Sequence, residues 1–436
     1  MFGKIPQHLI VTGSAWVSRV VIALVQVFSI RILLEGLETE RYAVFVLLNA
    51  LIAWYLLVDM GVGVSLQNYI SEARAKGDDE GGYLALGAFV AGILLILAIG
   101  FLYLLSPYLS KIFLKQFDFM SGAEKSHIFF VSGMLFLGLG IGNISYKAWY
   151  SQYKGHLSNI LPATAASIGL GLVWMVIHQQ WDDRKRLLWC VVAFTLPSTL
   201  LSLASFIKQL AEVPSGRFRV TKVMLRNFMG RSLKFWLLYA LATVVLSVDS
   251  VIISQYLSPH EIVLYGVTTR IFGFAAFFYT SFYAALWPYL TEAITKNDWE
   301  TIKGHLRKAF LFSAGTITLF TLILLLFMPF VSDILSPREK LEVPTLFIIL
   351  LGAYHLVLAW VHGFAVVLQS MSDLRVLIIW GAIQALFSIF FQVLFVQWWG
   401  LYGMTLGLIA SFLLTSVWVC PRRVHYHYKL SMEKAS

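Results

Sequence analysis

Ionisable side chains that interrupt long apolar runs are the residues of this sequence with the clearest capacity for chemistry. A charge inside such a run is costly, so it needs an opposite charge, a water-filled cavity or a route to the surface. Basic groups in such places can bind anions, and carboxylates or imidazoles can carry protons or sodium ions. The candidates are Arg19, Arg270, Asp59, Asp249, His355 and His362.

Arg19 is the most informative of the basic candidates. It lies deep in the first apolar run, about 12 Å along a helix, which is too far for easy access to outside water. Thr12, Arg19 and Gln26 recur at seven-residue spacing and therefore share one helical face. We expect this polar stripe, with Arg19 and Gln26, to line a cavity. A purely structural ion pair of Arg19 is the alternative.

Lys147 lies in a cluster of cationic and aromatic residues at the end of the fourth apolar run. The cluster reads YKAWYSQYK and covers residues 146–154. Cations beside aromatic faces would suit a phosphate next to a sugar, so Lys147 is a candidate binding residue. An aromatic belt at a membrane surface has the same composition and is the simpler interpretation.

The acidic candidates could bind a coupling ion. Asp59 precedes Gly61 and Gly63, where low helix propensity would let the backbone open beside a carboxylate. Asp249 and Arg270 lie in two runs joined by a short turn, so an ion pair between them is possible. Whether such a pair would be structural or functional stays open, and Asp59 is our first candidate for ion coupling.

The two histidines share one helical face at seven-residue spacing. Histidine can carry protons near neutral pH, so His355 and His362 are candidates for proton coupling, with His362 the stronger. Histidines in helix bundles more often form hydrogen bonds that support packing.

The composition indicates a membrane protein without a recognisable enzyme motif. Of the 436 residues, 59% are hydrophobic and 13% charged, whereas soluble domains contain about a quarter charged residues. Cys190 and Cys420 lie in apolar runs without a His/Cys cluster, so neither a disulfide nor a metal site is expected. No glycine-rich phosphate loop, nucleophile elbow or HExxH pattern occurs, so we expect no catalytic residue, no cofactor and no enzymatic activity. The net charge of +10 suits the anionic cytoplasmic leaflet better than nucleic acid.

Apolar runs of about 20 residues, the length that crosses a bilayer, predict twelve membrane-spanning helices. They cover residues 11–34, 42–68, 83–105, 127–149, 157–178, 187–208, 235–257, 262–289, 309–331, 345–369, 375–397 and 402–420. Loops on the side of both termini carry roughly twice as many Lys and Arg residues as the opposite loops, which predicts cytoplasmic termini. The predicted class is an all-α polytopic membrane protein.

An internal repeat divides these helices into two sets of six. Residues 68–80, NYISEARAKGDDE, align with 288–300, PYLTEAITKNDWE, and six of the thirteen positions are identical. An even number of helices separates the two segments, so the halves should be parallel repeats related by an axis along the membrane normal. Chance matching of polar loops is the alternative explanation.

The repeat predicts four regions of the chain. They are an N-terminal six-helix lobe (1–210), a basic amphipathic cytoplasmic linker (211–234), a C-terminal six-helix lobe (235–420) and a cytoplasmic tail (421–436). The linker could be a helix on the anionic membrane surface or a simple tether, and both interpretations stay open.

Two segments resemble a known transporter family. The first is YAVFVLLNALIAWYLLVDMGVGVSLQNYISEARAKG (42–77), with its Asp-x-Gly and Tyr-x-x-Glu-Ala motifs, and the second is VDSVIISQYLSPHEIVLYGVTTRIF (248–272). They are similar to Wzx-type O-antigen flippases, in the polysaccharide branch of the multidrug/oligosaccharidyl-lipid/polysaccharide exporter superfamily. Asp249 and Arg270 match an acidic and a basic position of that pattern. The resemblance implies two lobes in a V shape in the bacterial inner membrane.

The resemblance also implies a function and a set of partners. The expected substrate is an undecaprenyl-pyrophosphate-linked oligosaccharide, flipped to the periplasmic leaflet by alternating access through a cationic cavity. Arg19, Arg270, Lys147 and Gln26 are the expected substrate-binding residues. The expected partners are membrane lipids, a proton or sodium ion, and the polysaccharide polymerase and assembly proteins.

Three alternative functions fit parts of the sequence. An ion-coupled multidrug exporter of the same superfamily would use the acidic residues Asp59 and Asp249. A major facilitator would share the parallel repeat, but its basic Gly-x-x-x-Asp-Arg signature is missing between helices 2 and 3. A polysaccharide polymerase or ligase would need a large external loop, and the sequence predicts none.

Overall fold

The computed structural model describes residues 7–77, 80–179, 181–213, 221–335, 341–371 and 373–435. The regular elements of these residues are helical. They are α1 (Gln7–Ala50), α2 (Ile52–Tyr55), a 3-10 helix (Leu56–Asp59), α3 (Val62–Lys76), α4 (Gly81–Phe113), α5 (Gly122–Gly142), α6 (Ile144–Ser151), α7 (Gly155–His178), α8 (Asp183–Ala211), α9 (Lys222–Ser247), α10 (Asp249–Tyr256), α11 (Pro259–Thr295), α12 (Trp299–Leu335), α13 (Thr345–Ser370), α14 (Leu374–Leu414) and α15 (Ser416–Ala435).

Within the described residues, ten segments are long and apolar enough to cross a membrane. Two of them contain a residue with a non-helical backbone, Glu38 in α1 (φ 61°, ψ 166°) and Gly400 in α14 (φ 50°, ψ −127°). Glu38 separates the first predicted span from the second, and Gly400 separates the eleventh from the twelfth. The all-helical membrane-spanning class is therefore confirmed, with ten spans or twelve when these two long helices are divided.

The chain forms two compact units, Met1–Ala240 and Leu241–Ser436. Their boundary lies inside α9, beyond the predicted end of the linker at residue 234, because the first turns of α9 pack on the N-terminal unit. Phe228 is buried in the core of that unit, and the Nη2 atom of Arg231 lies 2.8 Å from Oε1 of Glu72. Residues 214–220 of the predicted linker lie outside the described part, and from Lys222 onward the chain is helix α9.

Each unit packs its helices around its own apolar core. In the N-terminal unit, α1 packs along α7, α7 along α8, and α4 along α5. In the C-terminal unit, α11, α12 and α13 pack against one another, and α13 also packs against α14. Helices α5 and α11 begin at capping boxes, Ser121 with Glu124 and Ser258 with Glu261, which provide partners for the first backbone N–H groups.

Candidate functional site

A cavity of about 360 Å³ opens in the N-terminal unit where α5 ends and α6 begins. Its polar lining comes from Asn143, Tyr146, Lys147 and Tyr150, with Ser198 of α8. Lys147 is exposed, so its ammonium group gives the cavity a positive charge. A cation beside amide and hydroxyl groups can bind a phosphate or a carboxylate.

Arg19 adds a second positive charge to this region. Its side chain is exposed on α1, and its charge acts on the hydroxyl group of Tyr150, which lines the cavity. The Tyr150 hydroxyl donates a hydrogen bond to Oδ1 of Asn159 on α7, at 2.6 Å. Of the predicted substrate-binding residues, Lys147 thus lines the cavity. Arg19 directly follows Ser18, whose hydroxyl donates a hydrogen bond to the backbone oxygen of Asn159.

Gln26 and Arg270 lie apart from this cavity. Gln26 is exposed on α1, two turns from Arg19 and about 10 Å further along the helix. The side chain of Thr12, the third member of the predicted stripe, lies outside the described residues. Arg270 is partly exposed on α11 of the C-terminal unit.

Asp59 stabilises a break in the second predicted span. Met60 and Gly61, which follow the 3-10 helix, both have a left-handed backbone (φ 44° and 75°). The Asp59 carboxylate accepts hydrogen bonds from the backbone N–H of Gly61 (Oδ1, 2.9 Å) and of Gly63 (Oδ2, 3.2 Å). It therefore provides acceptors for the first N–H groups of α3. The charge of Lys147 acts on this carboxylate, so Asp59 is electrostatically connected to the cation of the cavity.

Helix α9 packs closely on this break. The indole Nε1 of Trp236 donates a hydrogen bond to the carbonyl oxygen of Leu57, at 3.1 Å. A Cβ atom on Gly61 would lie 2.3 Å from the carbonyl oxygen of Ser232. Glycine is the residue that permits both the positive φ and this backbone approach.

Asp249 and Arg270 do not form the ion pair that their sequence positions allowed. Asp249 instead accepts hydrogen bonds from the Tyr265 hydroxyl (Oδ2, 2.5 Å) and from the backbone N–H of Ser250 (Oδ1, 2.7 Å). Arg270 follows Tyr265 by five residues, which turns it about 140° around the axis of α11. Tyr265 therefore faces Asp249, and Arg270 points to a different side of the helix.

The two histidines lie among aromatic side chains of the C-terminal unit. The His355 ring stacks on Phe272, with centroids 5.3 Å apart, and its Nδ1 lies 3.3 Å from the Tyr279 hydroxyl. The His362 ring lies 5.2 Å from that of Tyr283. Packing accounts for these contacts, and a role in proton coupling stays a prediction.

A cluster around Asp373 was missed by sequence reasoning, which predicted only a cytoplasmic tail for residues 421–436. Oδ2 of Asp373 accepts hydrogen bonds from Nε of Arg423 (2.6 Å) and from Nε2 of His427 (2.7 Å). The carboxylate precedes α14 and both partners lie on α15, so the cluster attaches the last helix to the start of α14. Burial alone would raise the pKa of Asp373, but the bonds from His427 and Arg423 outweigh it and lower that pKa.

Replacement of Asp373 by asparagine is expected to destabilise the chain. A hydrogen bond to a charged group contributes about 1.5–3 kcal/mol, and the substitution leaves Arg423 without its anion. Because the pKa of Asp373 is lowered in the folded chain, this stability is present above the usual carboxyl range and decreases as the pH falls through the lowered value. Thermal unfolding of wild type and Asp373→Asn in detergent, from pH 8 down to pH 3, measures both effects. A constant difference over that whole range would contradict the assignment.

No family model matches the chain, but full-length relatives do. It is 34% identical to a proposed O-antigen export protein of Yersinia pseudotuberculosis, over 96% of each chain. It is equally similar, 34% over 96% of each chain, to a proposed O-antigen transporter of Salmonella typhimurium. A proposed O-antigen transporter of Salmonella typhi is 32% identical, over 98% of this chain and 97% of the relative.

Solved structures of two kinds of transporter share the fold. A multidrug resistance MATE family transporter of the MOP superfamily, in an inward-facing conformation, superposes with a TM-score of 0.72 at 14% identity, over 95% of this chain and 99% of the other. The lipid II flippase MurJ, in an inward closed conformation, gives a TM-score of 0.73 at 12% identity, over 96% and 87%. At these identities the similarity concerns the fold, and it agrees with the class predicted from the sequence.

Proposed function

Because the chain belongs to the family of O-antigen transporters, we propose that it flips an undecaprenyl-pyrophosphate-linked oligosaccharide across the bacterial inner membrane. The direction is from the cytoplasmic to the periplasmic leaflet, as the synthesis of a surface polysaccharide requires. A member of a transporter family is not an enzyme. The glycan and its lipid carrier are therefore not chemically altered by transport.

The observation that carries this proposal is the pair of cations around Tyr150. A pyrophosphate is multiply charged, so it needs positive groups to enter a region of low dielectric constant. Lys147 provides one such group in the lining of the cavity, and the exposed Arg19 of α1 provides a second one whose charge acts on Tyr150 of the same lining. The ring faces of Tyr146 and Tyr150 beside them suit the first sugar. Gln26 and Arg270 stay candidates for contacts with the remainder of the substrate.

The proposed cycle is alternating access, with the cationic cavity open to one leaflet at a time. The excess of basic residues on the side of both termini supports a cytoplasmic location for them. The polymerase and assembly proteins that use the flipped oligosaccharide are the proposed partners on the periplasmic side.

A gene deletion tests the proposed function in the bacterium that carries this chain. The deletion strain should lose its surface polysaccharide and accumulate lipid-linked oligosaccharide on the cytoplasmic side, and the wild-type gene should restore both. Drug susceptibility of the same strains tests the rival exporter. Increased susceptibility with an intact surface polysaccharide would contradict the proposal and favour multidrug export.

For energy coupling we propose Asp59 as the ion carrier, before Asp249, His355 and His362. Its carboxylate interacts with the charge of Lys147, which is also a proposed contact of the substrate phosphate. A phosphate bound to Lys147 would weaken the interaction between Lys147 and Asp59. A proton or a sodium ion could then take the place of Lys147 as the positive partner of the Asp59 carboxylate. Ion and substrate would then bind cooperatively because they share one cation.

Replacement of Asp59 by asparagine is expected to remove the effect of an ion gradient on flipping. Couplings of this kind change an affinity on the order of tenfold. Proteoliposomes with imposed proton or sodium gradients measure the effect for wild type, Asp59→Asn and Asp249→Asn. Asp249→Asn should keep its response if Asp59 is the carrier. A wild-type rate that no gradient changes would rule out ion coupling and leave transport down the substrate's own concentration difference.

A further inference from the structure

Another cavity, of about 180 Å³, opens in the N-terminal unit where α5 and α8 begin. Its charged and polar lining comes from Arg41 of α1, Glu124 and His127 of α5, and Lys185 of α8, and the ring of Phe119 lies beside them. A water molecule occupies about 30 Å³ in the liquid, so the cavity has room for a small group such as a phosphate. Two cations and one carboxylate give this lining a positive balance.

This cavity and the one beside Lys147 lie at opposite ends of the same two helices. His127 and Leu139 line the two cavities on α5, about 18 Å apart along the helix. Lys185 and Ser198 do the same on α8, about 20 Å apart. With the termini in the cytoplasm, as proposed above, the cavity at the start of α5 and α8 lies at the periplasmic end of the unit.

Two contacts fix the guanidinium group of Arg41. Its Cζ lies 5.5 Å from the centroid of the Phe119 ring, and its Nη1 lies 3.0 Å from Oε2 of Glu38, the residue that breaks the helical backbone of α1. The Glu38 side chain is 73% exposed, so water weakens this ion pair. A guanidinium group presents N–H donors in a planar fork that matches the oxygens of a phosphate. Arg41 is therefore oriented in advance for an anionic ligand.

The start of α8, which carries Lys185, is attached to α1 by the neighbouring residue. Arg186 donates hydrogen bonds to the carbonyl oxygens of Trp181 (Nη2, 3.0 Å) and of Gly36 in α1 (Nη1, 3.4 Å). Lys185 itself is exposed, so its ammonium group can reach a ligand in the cavity. The second cation is thus held near the first by the packing of α8 on α1.

The first turn of α5 offsets the negative charge of Glu124. Oε2 of Glu124 accepts a hydrogen bond from the backbone N–H of Ser121, at 2.7 Å, in the capping box. The partial positive charge of a helix N-terminus lies at the same place. His127 follows one turn later, and its ring can donate a hydrogen bond to an oxygen ligand. An anionic oxygen group therefore suits this cavity better than a cation.

We propose that this cavity binds the phosphate of a lipid head group in the periplasmic leaflet, with Arg41 and Lys185 as its contacts. Two lipids carry this chemistry there, the flipped carrier lipid and an anionic phospholipid. The assignment to the carrier rests on the proposed function, and it makes the cavity the place where the pyrophosphate is held before release.

Binding of undecaprenyl pyrophosphate to the full chain in phosphatidylcholine nanodiscs tests the site. The background is the chain with Arg19→Ala and Lys147→Ala, which lacks the proposed contacts near the other cavity. Residual binding is expected in this background. Arg41→Ala or Lys185→Ala should weaken it about ten- to a hundredfold, because each removes a charge-assisted contact. Lys185→Arg keeps the charge and should preserve binding.

Arg31→Ala on α1 and Lys111→Ala in the last turn of α4 are the matched controls, since both residues are exposed and lie outside the lining. They should leave residual binding unchanged, and unfolding temperatures in the same nanodiscs show that each variant is folded. Absence of residual binding, or an equal loss in the controls and in Arg41→Ala and Lys185→Ala, would overturn the inference. The proposed function would stand as long as the wild-type chain binds the probe.

Phosphatidylglycerol as a second probe distinguishes the two lipids. If it binds with the same dependence on Arg41 and Lys185 and displaces the carrier, the phospholipid is the ligand; if it does not compete, the carrier is. A wild-type chain that binds phosphatidylglycerol in this way but not undecaprenyl pyrophosphate would support the phosphate site and count against the proposed function. Displacement of either lipid by a neutral methyl glycoside would overturn the inference, because the cavity would then recognise sugar hydroxyl groups.

Discussion

A chain with both Arg19 and Lys147 replaced by alanine is expected to fold and to lose nearly all transport. Each cation should form a charge-assisted contact with the pyrophosphate, and such a contact contributes about 1.5–3 kcal/mol. Each single substitution should then weaken apparent affinity about ten- to a hundredfold, and the double substitution by at least as much as the larger. Surface polysaccharide, measured at matched protein abundance, reports the loss.

Two other cations provide matched controls for this experiment. Arg31 lies on the same helix as Arg19 and pairs with Glu35 at 3.4 Å. Lys154 is exposed and does not belong to the lining of the cavity. Alanine at either position should leave transport close to normal. The control variants could instead lose transport as completely as Arg19→Ala and Lys147→Ala do. Transport would then depend on the total positive charge of the chain, and the proposed site would be wrong.

Gly61→Ala is expected to destabilise the N-terminal unit strongly. The new Cβ would lie 2.3 Å from the carbonyl oxygen of Ser232 and 2.9 Å from the backbone nitrogen of Trp236, and neither atom can move without α9. The positive φ of 75° adds backbone strain for any residue with a side chain. Together these effects should cost on the order of 2–5 kcal/mol.

Gly77→Ala distinguishes the effect of the positive φ from the effect of the close contact with α9. Gly77 also has a φ of 75°, but no atom lies within 4 Å of the position of a Cβ. This substitution should therefore cost about 1 kcal/mol, from the backbone conformation alone. Thermal unfolding in detergent compares the variants. If Gly61→Ala and Gly77→Ala destabilise the chain equally, the close approach of α9 to Gly61 does not contribute to the cost of the substitution.

The sequence was most informative for features that depend on one physical requirement, such as the burial of a charge or the length of a membrane-spanning helix. The length needed to cross a bilayer led to the spans. The cost of charges in apolar runs led to Arg19 and Asp59, whose roles stay predictions. The glycines after Asp59 predicted an opened backbone, and the structure has left-handed residues there. These features depend on neighbours within a few positions of the chain.

Contacts between distant residues could not be predicted in the same way. The bond from Trp236 to Leu57 joins residues 179 positions apart, and the bond from His427 to Asp373 joins residues 54 apart. No local pattern encodes such partners. Tyr150 was assigned to an interfacial belt because a belt and a binding site have the same composition. The hydrogen bond from Tyr150 to Asn159 on α7 distinguishes Tyr150 from the other aromatic residues of the cluster.

Reconstituted flipping tests the central claim most directly. Purified chain is placed in proteoliposomes that contain a fluorescent undecaprenyl-pyrophosphate-linked oligosaccharide, and a membrane-impermeant quencher reports the fraction in the outer leaflet over time. We predict rapid equilibration between leaflets with the wild-type chain, and a rate close to that of protein-free vesicles with the Arg19→Ala, Lys147→Ala double variant. Wild-type vesicles that flip no faster than protein-free ones, or a double variant as fast as wild type, would contradict the account.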